Sequence, residues 1–317
     1  MKLRIGILST ASIVPRFIKA VQATDTCEAV ALASRSLAKA QEKAALWKVP
    51  RAYGSYEELL CSPDIDAVYV AMINSEHYSY ARMALEHGKH VFCEKPFTLT
   101  PEDAHSLFAL AREKGLFIME MQKCVFLPVM QEIKRLIQEG ALGKIRMADF
   151  SSSFDATYNA WMFDPEKGGG PLYGNAIYST ELMQYLFDCN ITQWSGLCTR
   201  SQHSAEDQFA TSMIMDNGIL FTNRTSASVT TLHCAYLYGE KGYMEIPDYW
   251  KARKAILHFP GQEPTVLEYP CEHELIYEVL HAEECIRKGL SESPVMTEEM
   301  TTSAIRVLNE IARDWNS

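Results

Sequence analysis

The chain has 317 residues, of which 47% are hydrophobic and 22% are charged, and this composition is typical of globular proteins. Its formal net charge of −10 argues against a nucleic-acid partner, because a phosphate backbone is bound by positive charge. The same balance offers no basic patch for an anionic membrane, and no apolar run approaches the about 18 residues that a membrane span needs.

Nine cysteines are spread along the chain at irregular spacing, and no two form a C-x-x-C pair. An irregular set of this kind indicates reduced thiols in a cytoplasmic protein rather than a disulfide framework or a zinc site, so we predict no metal site. The apolar run at residues 5–8 is too short for the hydrophobic region of a signal peptide. We therefore expect a cytoplasmic location.

The first 121 residues alternate strands with helices. Strands that are apolar throughout, separated by helices, indicate a parallel sheet covered on both faces. The right-handed crossover rule then makes a doubly wound sheet the simplest topology for this α/β region. The strands are predicted at residues 3–8, 28–34, 67–72, 90–94 and 116–121, and the helices at 15–23, 36–47, 76–87 and 102–114.

Residues 122–317 have a different pattern, typical of an α+β domain. Strand-like runs follow one another with short turns, and Asp216-Asn217-Gly218 is a strong hairpin signal, so the sheet is predicted to be largely antiparallel. The strands are predicted at residues 208–215, 219–229, 232–239, 242–246 and 254–259, and the helices at 126–139, 272–288 and 297–314. We place the domain boundary near residue 121.

The segment IGILSTASIV at residues 5–14 has the context of a dinucleotide-binding turn, because it joins a buried strand to a helix. Ser9, Ala11 and Val14 stand where the G-x-G-x-x-G fingerprint has glycine. Such a turn binds a pyrophosphate through backbone N–H groups and a helix N-terminus, so side-chain identity matters little. The alternative is a strand–helix junction without a ligand. The candidate cofactor-binding residues here are Ser9, Thr10, Ala11, Ser12 and Ile13.

The end of the second predicted strand bears on the choice of cofactor. An acidic residue usually stands there in NAD-binding proteins, whereas this chain has Ser34-Arg35-Ser36. An arginine can pair with a 2′-phosphate and stack near the adenosine, and the serine hydroxyls add donors. NADP is therefore favoured over NAD. The alternative is a solvated Arg35 with Ser36 as the N-cap of the next helix.

Two further stretches carry a resemblance that spans essentially the whole chain. AMINSEHYSYARMALEHGKHVFCEKPFTLTPEDA (71–104) and FDPEKGGGPLYGNAIYSTE (163–181) resemble the Gfo/Idh/MocA oxidoreductases, and most of all the branch that includes dimeric dihydrodiol dehydrogenase. The matching features are Asn74-x-x-His77, Glu94-Lys95-Pro96 and the glycines at 168–170, in the family's order and spacing.

The resemblance implies an N-terminal NAD(P)-binding Rossmann domain at residues 1–121 and an α+β domain for substrate binding and dimerisation at 122–317. It implies that Lys95 is catalytic and lies close to the nicotinamide, and that Glu94 orients Lys95 or contacts the ribose. It places Tyr178 where a histidine or tyrosine exchanges a proton with the substrate; the alternative is a core tyrosine on a helix. It places Asn74 and His77 on the cofactor side, although a structural role is the more frequent one for His77.

The sequence departs from the family pattern in two places. Where many relatives have G-G-G-x-x-x-D-x-G-x-H, this chain has Gly174, Ala176 and Tyr178 at the last three named positions, and Ile73 replaces the usual proline before Asn74. Without this aspartate carboxylate, the substrate specificity of the aspartate-containing members, which is of the inositol or glucose type, is not expected here. We expect a homodimeric, NADP-dependent oxidoreductase that acts on a secondary alcohol or carbonyl group of a sugar, polyol or cyclic diol. The alternative is a non-catalytic dinucleotide-sensing regulator with the same fold.

Overall fold

A computed structural model describes residues 2–154, 160–200 and 205–315. The chain forms two compact units that are described separately here. The first comprises Met1–Gln122 and His273–Glu298, and the second comprises Lys123–Glu272 and Glu299–Ser317. Within the described ranges, no helix combines the length and the apolar character needed to cross a membrane.

The first unit is built on a parallel sheet of six strands in the described part of the chain. Its strands are β1 (Leu3–Leu8), β2 (Cys27–Ala33), β3 (Arg51–Tyr53), β4 (Ala67–Val70), β5 (His90–Glu94) and β6 (Ile118–Met121). Their order is β3-β2-β1-β4-β5-β6, and every neighbouring pair is parallel. This order reverses between β1 and β4, as in a doubly wound Rossmann sheet. The predicted fold is confirmed; the short strand β3 had no sequence signal of its own.

Local sequence signals mark both ends of one helix of the first unit, α5 (Pro101–Lys114). Thr100 caps α5 by accepting a hydrogen bond from the Asp103 N–H at 3.2 Å, Pro101 opens the helix, and Gly115 ends it in a left-handed conformation. The prediction for this helix is confirmed to within one residue. The helices are α1 (Val14–Gln22), α2 (Leu37–Trp47), α3 (Tyr56–Leu60), α4 (His77–Glu86) and α5 (Pro101–Lys114).

The second unit opens with two short helices where the sequence analysis predicted a single one at 126–139. Helix α6 (Lys123–Phe126) ends before α7 (Pro128–Gln138), and Leu127 between them has an extended backbone. The physical reason is Pro128, which disfavours a helical conformation in the residue before it.

The second unit contains a sheet of eight strands among the described residues. The elements are β7 (Ile145–Ser153), α8 (Ile177–Phe187), β8 (Ile191–Thr199), β9 (Gln208–Met215), β10 (Leu220–Ser226), β11 (Cys234–Gly239), β12 (Tyr243–Pro247), β13 (Lys254–His258) and β14 (Thr265–Glu268). Their order is β14-β13-β12-β11-β7-β10-β9-β8, and β7 with β10 is the parallel pair in an otherwise antiparallel sheet. The predicted largely antiparallel sheet and the hairpin at 216–218 are confirmed. No strand was predicted over β7, β8 or β14.

The two faces of this sheet differ in exposure. Phe150, Phe221 and Leu237 lie on the buried face. The strand register places the exposed apolar side chains together on the other face. These exposed side chains are Met147, Leu197, Leu220, Tyr243 and Val266, of which Leu197 is 81% exposed.

Two helices complete the chain: α9 (Ile276–Arg287) and α10 (Glu298–Asp314). The sequence analysis assigned residues 273–298 to the second domain, but this segment packs with the first unit. Glu274, just before α9, pairs with Arg16 of α1, and the Ser291 carbonyl accepts from the Ile118 N–H at 3.0 Å. The segment thus adds a hydrogen bond to β6 and packs against α1. Local sequence patterns do not predict this packing.

Candidate functional site

The cofactor residues predicted from sequence lie at one edge of the first unit's sheet. Because all six strands are parallel, the segments that follow them emerge at the same edge, and ligands of such sheets bind where the strand order reverses. The turn after β1 and the segment after β4 flank that reversal. The candidates at this edge are Ser9, Thr10, Ala11, Ser12 and Ile13 after β1, Ser34, Arg35 and Ser36 after β2, Asn74 and His77 after β4, and Glu94 and Lys95 at the end of β5.

The turn after β1 keeps a glycine-like backbone although it contains no glycine. Ser9 stands at the first glycine position of the fingerprint and has φ of +143°, which side-chain-bearing residues rarely adopt. Its hydroxyl oxygen accepts a hydrogen bond from the Ala11 N–H at 2.9 Å, which offsets part of the strain. At this position the turn therefore keeps the backbone conformation that glycine favours, although the residue is serine.

The N-terminus of α1 is suited to an anion. Within the described chain, no side chain caps this helix, and its first turn contains no acidic residue. The first N–H groups of the helix donate to the carbonyl oxygens of Ala11 and Ile13. The attraction for an anion therefore comes from the positive end of the helix dipole, which no acidic side chain of the first turn neutralises. Pro15 stands in the first turn, where it is tolerated. These features fit the pyrophosphate of a dinucleotide.

The segment after β2 combines a cap with an exposed arginine. Ser36 caps α2 by accepting from the Lys39 N–H at 3.4 Å, which was the alternative considered for it. This bond uses the hydroxyl oxygen as acceptor and does not use the hydroxyl proton, so capping is compatible with a ligand contact. Arg35 is exposed.

Arg35 lies close to two tyrosines that the sequence analysis missed. Tyr56 and Tyr80 pack edge to face with their ring centroids 4.9 Å apart. Burial raises the pKa of both phenols, whereas the Arg35 guanidinium acts in the opposite direction because it favours the charged form. Nothing in the spacing of these tyrosines signals the contact.

Glu94 is held by its neighbours at the end of β5. The Tyr69 hydroxyl donates to Glu94 Oε1 at 2.5 Å, and the Lys95 backbone N–H donates to Glu94 Oε2 at 3.3 Å. Tyr69 in turn stacks on Phe17 of α1, with ring centroids 3.6 Å apart. Burial raises the pKa of Tyr69 well above its ordinary value, and the Glu94 charge adds to the rise. These contacts connect the carboxylate beside Lys95 to both β4 and α1.

His77 supports the loop that carries Lys95. Its ring is buried, with Nδ1 2.7 Å from the Pro96 carbonyl oxygen and Nε2 3.2 Å from the Met72 carbonyl oxygen. Burial lowers the pKa of His77, which favours the neutral ring. Asn74 is buried in the short helix that precedes His77. This geometry agrees with the structural role considered for His77, while its contact with the cofactor stays a prediction.

The glycines at 168–170 shape the entry to α8 in the second unit. A Cβ at Gly169 would lie 2.6 Å from two backbone carbonyl oxygens, and a Cβ at Gly170 would lie 2.3 Å from Glu206 Oε1. That carboxylate accepts from the Leu172 N–H at 2.8 Å, and burial raises its pKa. The glycines therefore leave room for Glu206 at the start of the helical segment.

A π-helical turn, Leu172–Ala176, leads into α8, and such turns are frequent at functional sites. Gly174, at the position of the family's aspartate, lies in this turn. A Cβ there would meet Phe154 at 4.0 Å, so the backbone leaves space for a side chain. The missing carboxylate is therefore a change of chemistry at this position and not a consequence of crowding.

Tyr178 lies in the first turn of α8 and contacts a lysine that the sequence analysis missed. Lys123 Nζ donates to the Tyr178 hydroxyl oxygen at 2.6 Å, and both side chains are buried, with 7% and 9% exposure. A single lysine after β6 matches no motif, so no sequence signal marked it. Tyr178 belongs to the second unit and Lys95 to the first.

Two family models match this chain. Residues 3–121 match a model described as an oxidoreductase family with an NAD-binding Rossmann fold, and residues 130–245 match a GFO/IDH/MocA C-terminal domain.

Two relatives are similar along nearly their whole length. The trans-1,2-dihydrobenzene-1,2-diol dehydrogenase of Xenopus laevis is 31% identical over 312 residues, covering 92% of each chain. The protein of the same name from Mus musculus is 29% identical over 308 residues, covering 93% of this chain and 92% of its own.

Solved structures share the fold. The aldose-aldose oxidoreductase of Caulobacter crescentus has a TM-score of 0.90 at 23% identity, covering 100% of this chain and 98% of its own. A 3-ketoreductase of Actinomadura kijaniata, in complex with NADP, has a TM-score of 0.89 at 20% identity, with coverage of 99% and 98%. A levoglucosan dehydrogenase in complex with NADH and levoglucosan has a TM-score of 0.86 at 18% identity, with coverage of 99% and 98%.

Proposed function

The chain belongs to the Gfo/Idh/MocA family of NAD(P)-dependent oxidoreductases, and from this premise we propose that it transfers a hydride between NADP and a secondary alcohol or carbonyl group of a sugar, polyol or cyclic diol. The observation that carries the proposal is the carboxyl edge of the parallel sheet, which holds both the uncapped N-terminus of α1 and Lys95. The substrate class is supported by the relatives, which are named for a cyclic diol, and by the levoglucosan and aldose enzymes that share the fold.

The bound nicotinamide supplies the carbon that accepts or donates the hydride. The protein's own residues hold the substrate and move its proton. The Lys95 ammonium holds the reacting oxygen and stabilises the charge that develops on it, and Glu94, fixed by Tyr69, orients the Lys95 backbone. Tyr178 is the residue that exchanges a proton with the substrate. In the direction of oxidation, the hydroxyl proton of the substrate passes to a side chain of the protein. The hydride of the carbinol carbon would pass to the nicotinamide.

Replacing Lys95 with methionine tests the catalytic assignment. Lys95→Met is expected to bind NADPH with unchanged affinity and to lower kcat by at least about 10²-fold, because the reacting oxygen loses its ammonium. Steady-state assays with sugars, polyols and trans-diols give kcat, and fluorescence titration gives the affinity. A fully active variant would remove Lys95 from the mechanism. Turnover by the unchanged protein separates an enzyme from the alternative of a dinucleotide-sensing regulator.

The preference for NADP rests on Arg35, since proteins of this fold have been solved with NADP and with NADH. Its exposed guanidinium, beside Tyr56 and Tyr80, can pair with a 2′-phosphate. Arg35→Ala is expected to weaken NADPH binding by about tenfold or more, since a charge-assisted hydrogen bond contributes about 1.5–3 kcal/mol, and to leave NADH binding nearly unchanged. Parallel fluorescence titrations measure both. Equal weakening of the two would mean that Arg35 does not contact the phosphate.

We further propose a homodimer through the exposed face of the second unit's sheet, because five large apolar side chains on that face are exposed. Leu197→Asp is expected to convert a dimer into a monomer, as measured by light scattering after size exclusion. A monomeric unchanged protein would contradict the proposal. We also propose a cytoplasmic location, which the nine free thiols support.

A further inference from the structure

A buried lysine, Lys123, donates a hydrogen bond to a buried tyrosine, Tyr178, in the second unit. A buried ammonium is costly unless it is well paired, and here one of its partners is a phenol oxygen at 2.6 Å. The ammonium also lies 4.5 Å from the centroid of the same ring. Helix α6 begins at Lys123, and it packs against α8, which carries Tyr178. The pairing therefore links two packed elements.

We propose that Lys123 is the positioning residue of Tyr178: it holds the hydroxyl oxygen in place and stabilises the phenolate that forms during proton exchange with the substrate. This inference rests on the proposed function, in which Tyr178 exchanges that proton. Neither the sequence pattern nor the family resemblance pointed to Lys123.

The chemistry of the two groups sets the direction of the bond. A lysine ammonium has donors and no acceptor, so the Tyr178 oxygen accepts in this bond and the phenol keeps its own hydrogen. In the direction of reduction, the carbonyl carbon gains the hydride from the reduced nicotinamide while the carbonyl oxygen gains the phenol hydrogen. The product is the alcohol, and the phenolate that remains faces the ammonium until solvent returns a proton. An adjacent positive charge favours that phenolate.

Other titratable groups lie on the elements that pack against α6. They are Glu132, Lys134 and Arg135 on α7, Tyr178, Glu181 and Tyr185 on α8, and Tyr249 and Lys251 on the short helix between β12 and β13, together with Cys124 of α6 itself. Burial raises the pKa of Tyr185 to about 12 and that of Tyr249 higher still, so neither phenol ionises in the working range of an enzyme.

A second lysine–tyrosine pair in the same unit offers a matched control. Lys134 Nζ lies 4.5 Å from the centroid of the Tyr185 ring, the same distance as in the first pair. Its ammonium pairs with Asp188 Oδ1 at 2.6 Å, outside the proposed proton path. Replacing Lys134 therefore removes a cation over a ring without touching Tyr178.

The kinetic test compares Lys123→Met, Lys123→Arg and Lys134→Met with the unchanged protein. In the oxidation direction, Lys123→Met is expected to lower kcat about tenfold or more and to move the rise of kcat to a pH about one unit higher or more, because the phenolate loses its partner. Lys123→Arg keeps the positive charge, so its kcat and the pH dependence of kcat are expected to lie close to those of the unchanged protein. Lys134→Met is expected to leave both unchanged. If the unchanged protein turns over but Lys123→Met has the same pH profile, the inference is wrong and the proposed function stands.

A measurement without substrate keeps the two proposals separable. The phenol carbons of the tyrosines are labelled with ¹³C, and the Tyr178 signal is assigned by its loss in Tyr178→Phe. Between about pH 7 and 10 the Tyr178 signal is expected to show more phenolate in the unchanged protein than in Lys123→Met. Equal ionisation in both overturns the inference even if no substrate is turned over. Lys123→Arg serves the same comparison if the methionine variant does not fold.

Discussion

At the scale of single residues, the backbone at two positions explains which amino acids are tolerated. Ser9 adopts a conformation that favours glycine and keeps it with a hydrogen bond to Ala11. Gly170, with φ of +98°, lies where a Cβ would collide with the Glu206 carboxylate. The first case shows that a serine can hold a backbone conformation that favours glycine. The second shows that a glycine can be required by a partner far along the chain.

Gly170→Ala is expected to lower the free energy of unfolding by about 2–4 kcal/mol, because the methyl group displaces Glu206 from the Leu172 N–H and the backbone conformation disfavours alanine. Urea unfolding followed by circular dichroism measures the change. Gly174→Ala is the control: its Cβ meets open space, and alanine favours a helix by up to about 1 kcal/mol, so stability should stay equal or rise. Equal losses in the two variants would contradict the role of Glu206.

At the scale of elements, helix ends are governed by a few local contacts. Helix α5 has a threonine cap, a proline in its first turn and a left-handed glycine at its end, all recognisable in the sequence. Pro128 separates α6 from α7 for an equally local reason, and this break leaves Lys123 at the start of its own short helix. A proline thus contributes to the position of the lysine beside Tyr178.

Thr100→Ala is expected to lower the free energy of unfolding by about 1 kcal/mol, because the Asp103 N–H at the start of α5 loses its acceptor. Glu113→Ala, at an exposed position near the other end of the same helix, is the control and should change stability by less than about 0.5 kcal/mol. Denaturant unfolding of both variants measures the difference. A loss in the control as large as in Thr100→Ala would show that the cap is not the cause.

At the scale of the whole molecule, burial shifts the pKa of different residue types in the two units. Burial lowers the pKa of His77, His90 and His281, all in the first unit. In the second unit, burial raises the pKa of Glu206 instead. Each buried histidine favours its neutral form in the folded state, so the unfolded chain takes up these protons first.

The stability of the first unit is therefore expected to be greatest above about pH 6.5, the ordinary pKa of histidine, and to fall as the pH drops below it towards the folded pKa values. The unfolding midpoint of the first unit is measured by calorimetry from about pH 8 to 5.5. This midpoint should decrease below about pH 6.5. His90→Asn should reduce the change of this midpoint with pH. The reason is that His90 Nδ1 accepts a hydrogen bond from the Phe117 N–H, which a protonated imidazole ring cannot accept. A midpoint that is constant over this range would show that burial does not control these histidines.

The sequence by itself determined the doubly wound sheet of the first unit, the α5 caps, the hairpin at 216–218 and the family. These features depend on local patterns: apolar runs, cap residues and turn residues act within a few positions of the chain. The edge position of Ser9, Arg35 and Lys95 also followed from sequence, because the ends of parallel strands share one edge.

Only the tertiary structure decided that α9 packs with the first unit, that Glu206 fills the space beside Gly170, and that Lys123 reaches Tyr178. Lys123 and Tyr178 are 55 positions apart, and Glu206 is 34 positions from the Leu172 N–H that it accepts from. Such contacts depend on which side chains long-range packing brings together in the core. No periodicity, spacing or composition along the chain records that choice.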